Sequence, residues 1–218
     1  MLFLLTGDVQ IGKTRWLESL CASLQAAGTC VAGVVAPGQW VPRPEGQPGG
    51  KHGFDGAGRF EKLGIDNVLL PQGERIEFAR RRDLAAKGKA FAEGTQAKAA
   101  KLGWAISDTA IAQVNAHFAT LAKQAANETR LAPHAVLMVD ELGRLELLRG
   151  CGLTNALAIL DAGPTPQFPH AIAVVRETLL DEARRRFEPR WGKATVIGPD
   201  DAARNLVLET ARAAGGAH

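Results

Sequence analysis

The chain has 218 residues, 46% of them hydrophobic, which suits a single folded domain with a full core and argues against wholesale disorder. Lys plus Arg is 26 against 23 for Asp plus Glu, and a net charge of +3 is too mild to point to nucleic acid or a membrane surface. Cys21, Cys30 and Cys151 form no CxxC pair, and no two of the five histidines have metal-ligand spacing, so neither a disulfide framework nor a histidine–cysteine metal cage is expected.

Leu2–Leu5 is a short apolar run, the pattern of a central strand buried on both faces. It is too short for a signal peptide and lacks a basic lead-in, and no stretch reaches the length of a membrane span, so a soluble, cytoplasmic protein is expected. A loop over Gly7–Gly12 follows. Trp16, Leu17, Leu20 and Leu24 then predict a helix over Lys13–Ala27, ended by Gly28.

Cys30–Ala36 reads as the next strand. From Pro37 to about Phe60, Pro37, Pro42, Pro44 and Pro48 mix with closely spaced glycines, which excludes regular helix or central strand and predicts a long functional loop. Asn67–Leu70 and Arg75–Phe78, joined by Pro71-Gln72-Gly73, predict an inserted hairpin, and Lys87–Lys101 reads as an exposed, Ala- and Lys-rich stretch. Ser107 or Asp108 caps a helix running to about Ala126.

The second half alternates. Strands are predicted at Ala135–Val139, Ala171–Val175 and Ala194–Ile197, and helices at Leu153–Asp161, Glu177–Phe187 and Asp201–Ala214. The expected fold is α/β: a mainly parallel sheet of five strands with helices on both faces, in one domain over 1–218 that carries a loop and hairpin insertion at about 37–103.

Gly7-Asp8-Val9-Gln10-Ile11-Gly12-Lys13-Thr14 fits G-x-x-x-x-G-K-[ST] in full, between an apolar strand and an amphipathic helix. Glycines let the loop curl so that successive amides point at an anion, and the helix start adds its positive end. Lys13 is expected to reach the β- and γ-phosphates and the Thr14 hydroxyl to ligate Mg2+, with the nucleotide-binding set running from Gly7 through Arg15. The chain is therefore expected to bind a nucleoside triphosphate, ATP or GTP.

Asp140 follows an apolar strand, at the sheet edge where ligands bind, and is expected to serve the magnesium; Glu141 beside it is the candidate general base. Arg176 ends the strand Ala171–Val175 and is a candidate for stabilising charge on the γ-phosphate, with a surface ion pair as the plainer reading. Arg144 is a weaker candidate of the same kind. The runs Arg80–Arg82 and Arg184–Arg186 read as solvated faces before they read as a phosphate lid, and Trp40, Trp104 and Trp191 as packing before base stacking.

With these motifs in place, the chain resembles the small cancer-related nucleoside-triphosphatase family. The resemblance rests on the Gly7–Thr14 loop, the strand Val31–Val35, Gly53-Phe54 before the hairpin, and Asp140-Glu141-Leu142-Gly143-Arg144-Leu145-Glu146-Leu147. The chain departs from the family at Ala36-Pro37-Gly38-Gln39, where a Thr-x-Glu stretch is usual, and at Gly198-Pro199-Asp200-Asp201, where an Asn-Arg-Asp stretch is usual. The resemblance implies a RecA-like P-loop fold and slow, Mg-dependent hydrolysis of nucleoside triphosphates with loose base selectivity. Two alternatives stand beside it: a kinase for a small acceptor, and a nucleotide-gated assembly protein with a protein partner or a second copy of itself. The opening strand, loop and helix are also similar to those of GTP-binding accessory proteins of molybdenum-cofactor maturation.

Overall fold

The computed structural model describes residues 1–43, 59–85, 91, 93–99, 103–127 and 134–215. The Gly53-Phe54 pair, residues 44–58 of the Pro/Gly-rich stretch and parts of Lys87–Lys101 lie outside them.

In chain order the elements begin with β1 (Leu2–Leu5), α1 (Lys13–Ala26), β2 (Val31–Val35), β3 (Gly38–Pro42), β4 (Phe60–Leu70) and β5 (Glu74–Arg81). Two short helices follow, α2 (Arg82–Ala85) and α3 (Thr95–Ala99), then β6 (Trp104–Ile106), α4 (Asp108–Asn127) and β7 (Val136–Leu142). The chain continues with α5 (Arg144–Arg149), α6 (Thr154–Ala162), β8 (His170–Val175), a 3-10 turn at Glu177–Leu179, α7 (Leu180–Trp191), β9 (Thr195–Ile197) and α8 (Asp201–Gly215).

The nine strands of the described residues join one sheet, in the order β6-β5-β4-β2-β7-β8-β1-β9, with β3 also paired to β4. β2, β7, β8, β1 and β9 are the expected five parallel strands. The insertion extends their sheet: β4 pairs antiparallel to β2 through Gly33–Leu70, and β3, β5 and β6 follow antiparallel.

Alternate residues explain the three layers. Leu2 and Leu4 of β1 pack on one face with Val114, Phe118 and Leu121 of α4, Leu157 and Leu160 of α6, and Phe187 of α7. Phe3 and Leu5 pack on the other with Leu17, Leu20 and Leu24 of α1 and Val207 and Ala211 of α8. A strand covered on both faces has no polar side to show, hence the unbroken apolar runs. No helix among the described residues is long and apolar enough to cross a membrane.

Three expectations change. Gly38–Pro42, read as loop, is strand β3; it lies at an edge with Pro42 as its last residue, where no ladder amide is missed. The hairpin strands are longer than expected, β4 reaching back to Phe60 and β5 on to Arg81, and β6 completes the extension. The helix beginning at Glu177 opens as a 3-10 turn and runs past Phe187 to Trp191, with Pro189 inside it.

Candidate functional site

β1 delivers the chain to Gly7 at the carboxyl edge of the parallel strands. Gly7 and Gly12 have φ of 130° and 95°, backbone that side chains with a Cβ rarely adopt, and Gln10 is also left-handed at 68°. The loop thus closes on itself before α1 begins, with the first helical bond from Trp16 N to Gly12 O at 2.9 Å. Asp8, Val9, Gln10 and Ile11 stand exposed at its tip, and Arg15 is exposed on the first turn of α1.

Lys13 folds back across the loop, its Nζ donating to the carbonyls of Gly7 and Asp8, each at 2.7 Å. Partial burial lowers its pKa, and Arg176 adds to the lowering, while Glu141, Asp140 and Asp8 oppose it. The ammonium is therefore held at the loop mouth within the field of the Asp140 and Glu141 carboxylates.

Those carboxylates owe their placement to a bulge. β7 pairs Val139 with Ala173 and next Leu142 with Val175, so β7 spends one more residue than β8 between the two pairs. β7 therefore runs on to Leu142 rather than stopping at Val139, and Asp140 and Glu141 lie inside it. The extra residue turns Asp140 inward, to 4% exposure, and leaves Glu141 facing out. Asp140 Oδ2 accepts from the Ala36 amide at 2.9 Å, and the Thr14 side chain lies against the same carboxyl. One buried acid thus ties together β7, the end of β2 and the start of α1. Burial pushes its pKa up to about 6, with the neighbouring Glu141 charge adding to the rise and the Ala36 amide and the Thr14 side chain opposing it.

Arg176 follows β8, and the pairing of β8 with β7 sets it beside Glu141. Its Nε donates to Glu141 Oε1 at 2.7 Å, both side chains about half exposed at 56% and 41%. The plainer reading, a surface ion pair, and the catalytic reading thus meet in one contact, because the partner is the candidate base. Arg144 and Arg176, with Leu148, Thr178 and Leu179, line an adjoining cleft of ≈ 380 Å³.

The two arginine runs pair with nearby acids. Arg80 pairs with Glu77, Arg81 with Glu61 and Asp83, and Arg82 with Glu93. Arg184, Arg185 and Arg186 pair with Glu188, Glu182 and Asp161. Trp191 is buried and donates to Leu160 O at 2.6 Å.

Two groups escape sequence reasoning. Glu146 is 6% exposed, and its carboxylate accepts from Gly143 N at 2.9 Å and Leu153 N at 3.0 Å, fixing the turn that carries Arg144. Its identity was visible in the Asp140–Leu147 stretch, but the folding back onto Leu153 was not. Lys62, on β4, feels the charges of Glu141 and Asp140, and its Nζ lies 5.9 Å from the Trp40 ring centre and 5.7 Å from that of Trp104. No local motif marks it.

Solved structures resemble the chain over nearly its whole length. The crystal structure of THEP1 from the hyperthermophile Aquifex aeolicus superimposes with a TM-score of 0.57 at 16% identity, covering 96% of each chain. The solution structure of a human cancer-related nucleoside triphosphatase gives 0.52 at 20% identity, covering 99% of this chain and 96% of that one. The fold is that of the P-loop nucleoside triphosphatases. No protein-family model matches the sequence, and no curated protein matches it. The match is one of architecture, and the fold implied by the motif resemblance is the fold found.

Proposed function

We propose that the chain binds a magnesium nucleoside triphosphate on the Gly7–Arg15 loop and hydrolyses it to diphosphate and phosphate. The observation that carries the reading is the Thr14–Asp140 contact beneath the loop, with Lys13 at the loop mouth and Glu141 next in sequence. The human structural neighbour is described as a nucleoside triphosphatase, which agrees with it.

The residues fit a hard divalent cation. Thr14 and Asp140 offer oxygen donors, and Asp140 is a buried carboxyl whose cost in free energy a cation would offset. Among the described residues no cluster of three or more His, Cys, Asp or Glu side chains is placed to hold a metal by itself. That matches a site in which two protein oxygens suffice because phosphate and water supply the rest. Thr14 and Asp140 would hold the magnesium. When bound, it would neutralise charge on the β- and γ-phosphate oxygens.

Glu141 accepts a proton from the attacking water as the water oxygen bonds to the γ-phosphorus and the bond to the bridging oxygen breaks. That bridging oxygen leaves on the diphosphate. Arg176 orients Glu141 through Oε1 and stands beside the charge that develops on the phosphoryl group. Lys13 exchanges its bonds to the Gly7 and Asp8 carbonyls for phosphate oxygens.

The test is Mg-dependent phosphate release from ATP, GTP, CTP and UTP by wild type and Glu141→Gln side by side. Turnover on several bases that is lost in the variant is the expected result. Tight triphosphate binding without release would sink the hydrolase.

The ≈ 380 Å³ cleft beside Arg176 favours one second reading, transfer of the phosphoryl group to a small anionic acceptor held by Arg144 and Arg176. A metabolite that raises ADP production without an equal rise in free phosphate would establish it.

A further inference from the structure

Lys62 has no part in the hydrolysis scheme, yet its side chain is held at three points. Its backbone pairs with Trp40 across β3 and β4. Its stem lies over Gly38, where an added methyl would stand 2.5 Å from Lys62 Cε. Its ammonium lies 5.9 Å and 5.7 Å from the ring centres of Trp40 and Trp104. A lysine normally keeps several rotatable bonds free on a surface, so this degree of restraint fixes where its charge is presented.

That place is the phosphate end of the site. Gly38 comes two residues after Ala36, whose amide holds Asp140 Oδ2. The strand pairing that lays Lys62 over Gly38 therefore brings it to the edge carrying Asp140 and Glu141. Both carboxylates act on it electrostatically, as both act on Lys13. Two ammonium groups, one from the loop and one from the inserted strands, lie within the field of the same pair of acids.

Among the described residues Lys62 forms no ion pair and no hydrogen bond through Nζ. A partly buried cation without a bonded anion loses hydration and regains little, although the two indoles return part of it. Burial accordingly lowers its pKa, against the pull of Glu141 and Asp140. An anion arriving at the site would complete its coordination.

We propose that Lys62 is a catalytic residue supplied by the inserted strands, contacting the terminal phosphate of a bound nucleoside triphosphate and making no contact with a diphosphate. The proposal rests on the nucleotide reading above. The plainer account is a cation–π staple that joins β3, β4 and β6 and has no ligand. The two differ in whether Lys62 distinguishes a third phosphate.

The experiment measures Mg-dependent binding of ADP and of the non-hydrolysable β,γ-imido analogue of ATP by calorimetry, on wild type, Lys62→Met and Lys62→Arg of the full chain. Losing a charged hydrogen bond predicts that Lys62→Met weakens the triphosphate analogue by roughly 10- to 100-fold, with ADP changed less than about twofold. Phosphate release should fall by about 10²-fold or more, and Lys62→Arg should recover part of both losses. Equal weakening of ADP and the analogue, or a lowered melting temperature with both affinities unchanged, would leave only the staple and overturn the assignment. An unchanged triphosphate-to-diphosphate ratio in Lys62→Met sinks Lys62 alone, whereas wild type that binds neither nucleotide sinks the nucleotide reading itself.

Discussion

Arg176, just past the end of β8, and Glu141, in the neighbouring parallel strand β7, form an ion pair in which Nε lies 2.7 Å from Oε1 at the edge of the sheet. Both side chains are about half exposed, so solvent screens the pair and its contribution to stability is about 1 kcal/mol or less. Its value lies in orientation. Arg176→Ala is expected to change the melting temperature little while lowering phosphate release by about 10- to 100-fold. A loss of stability without loss of turnover would return Arg176 to a purely structural pair.

Glu141→Gln retains the shape of the side chain and removes its ability to take a proton. Turnover should fall by roughly 10²–10⁴-fold with triphosphate binding intact. Combining it with Arg176→Ala should cost less than the product of the two single losses, because part of the arginine's effect passes through the glutamate. Steady-state phosphate release by the two single variants and the double variant checks this.

Asp140 makes a prediction about pH. Its pKa in the folded protein is about 6 against an ordinary 3.8, so the folded state binds a proton more tightly than the unfolded chain does. The nucleotide-free protein therefore loses stability as pH rises from about 4 through about 6, in total on the order of 3 kcal/mol. Magnesium binding needs the ionised acid and runs the opposite way, so affinity for Mg·ADP should decline below about pH 6. Asp140→Asn should raise the melting temperature of the free protein at pH 7.5 and flatten the pH dependence. Thermal denaturation and calorimetry from pH 5 to 8 read both.

Glu146 is a buried carboxylate that accepts two backbone amides, from Gly143 and Leu153. Removing it in Glu146→Ala leaves both donors without that acceptor and opens a space beside Gly152, where an added methyl would stand 2.0 Å from Glu146 Oε1. A loss of about 2–5 kcal/mol is expected in chemical denaturation, with Glu146→Gln losing less because its amide oxygen still accepts one bond. Equal, small effects from both would mean that the turn holds itself.

The Gly7–Thr14 loop was legible because its conformation is written locally: Gly7, Gly12, Lys13 and Thr14 act within a single turn of chain. The parallel strands were legible for a related reason. Burial on both faces demands continuous apolar runs, as in Leu2–Leu5 and Val136–Val139. The carboxylates stood out because they follow an apolar run, but the bulge that keeps them inside β7 and turns Asp140 in and Glu141 out depends on pairing with β8 and left no trace in sequence.

Tertiary structure decided what these groups face. Arg176 meets Glu141 only because β7 and β8 are neighbours, and Glu146 reaches Leu153 only because α5 turns back. Gly38–Pro42 carries loop-like residues, and its strand character comes from β4, which offers an edge where glycine and a terminal proline are tolerated. That same pairing places Lys62 between Trp40 and Trp104. Local sequence determines how a backbone curls and which faces are apolar. Which distant side chains share a site is set by strand order and register, and those are properties of the whole sheet.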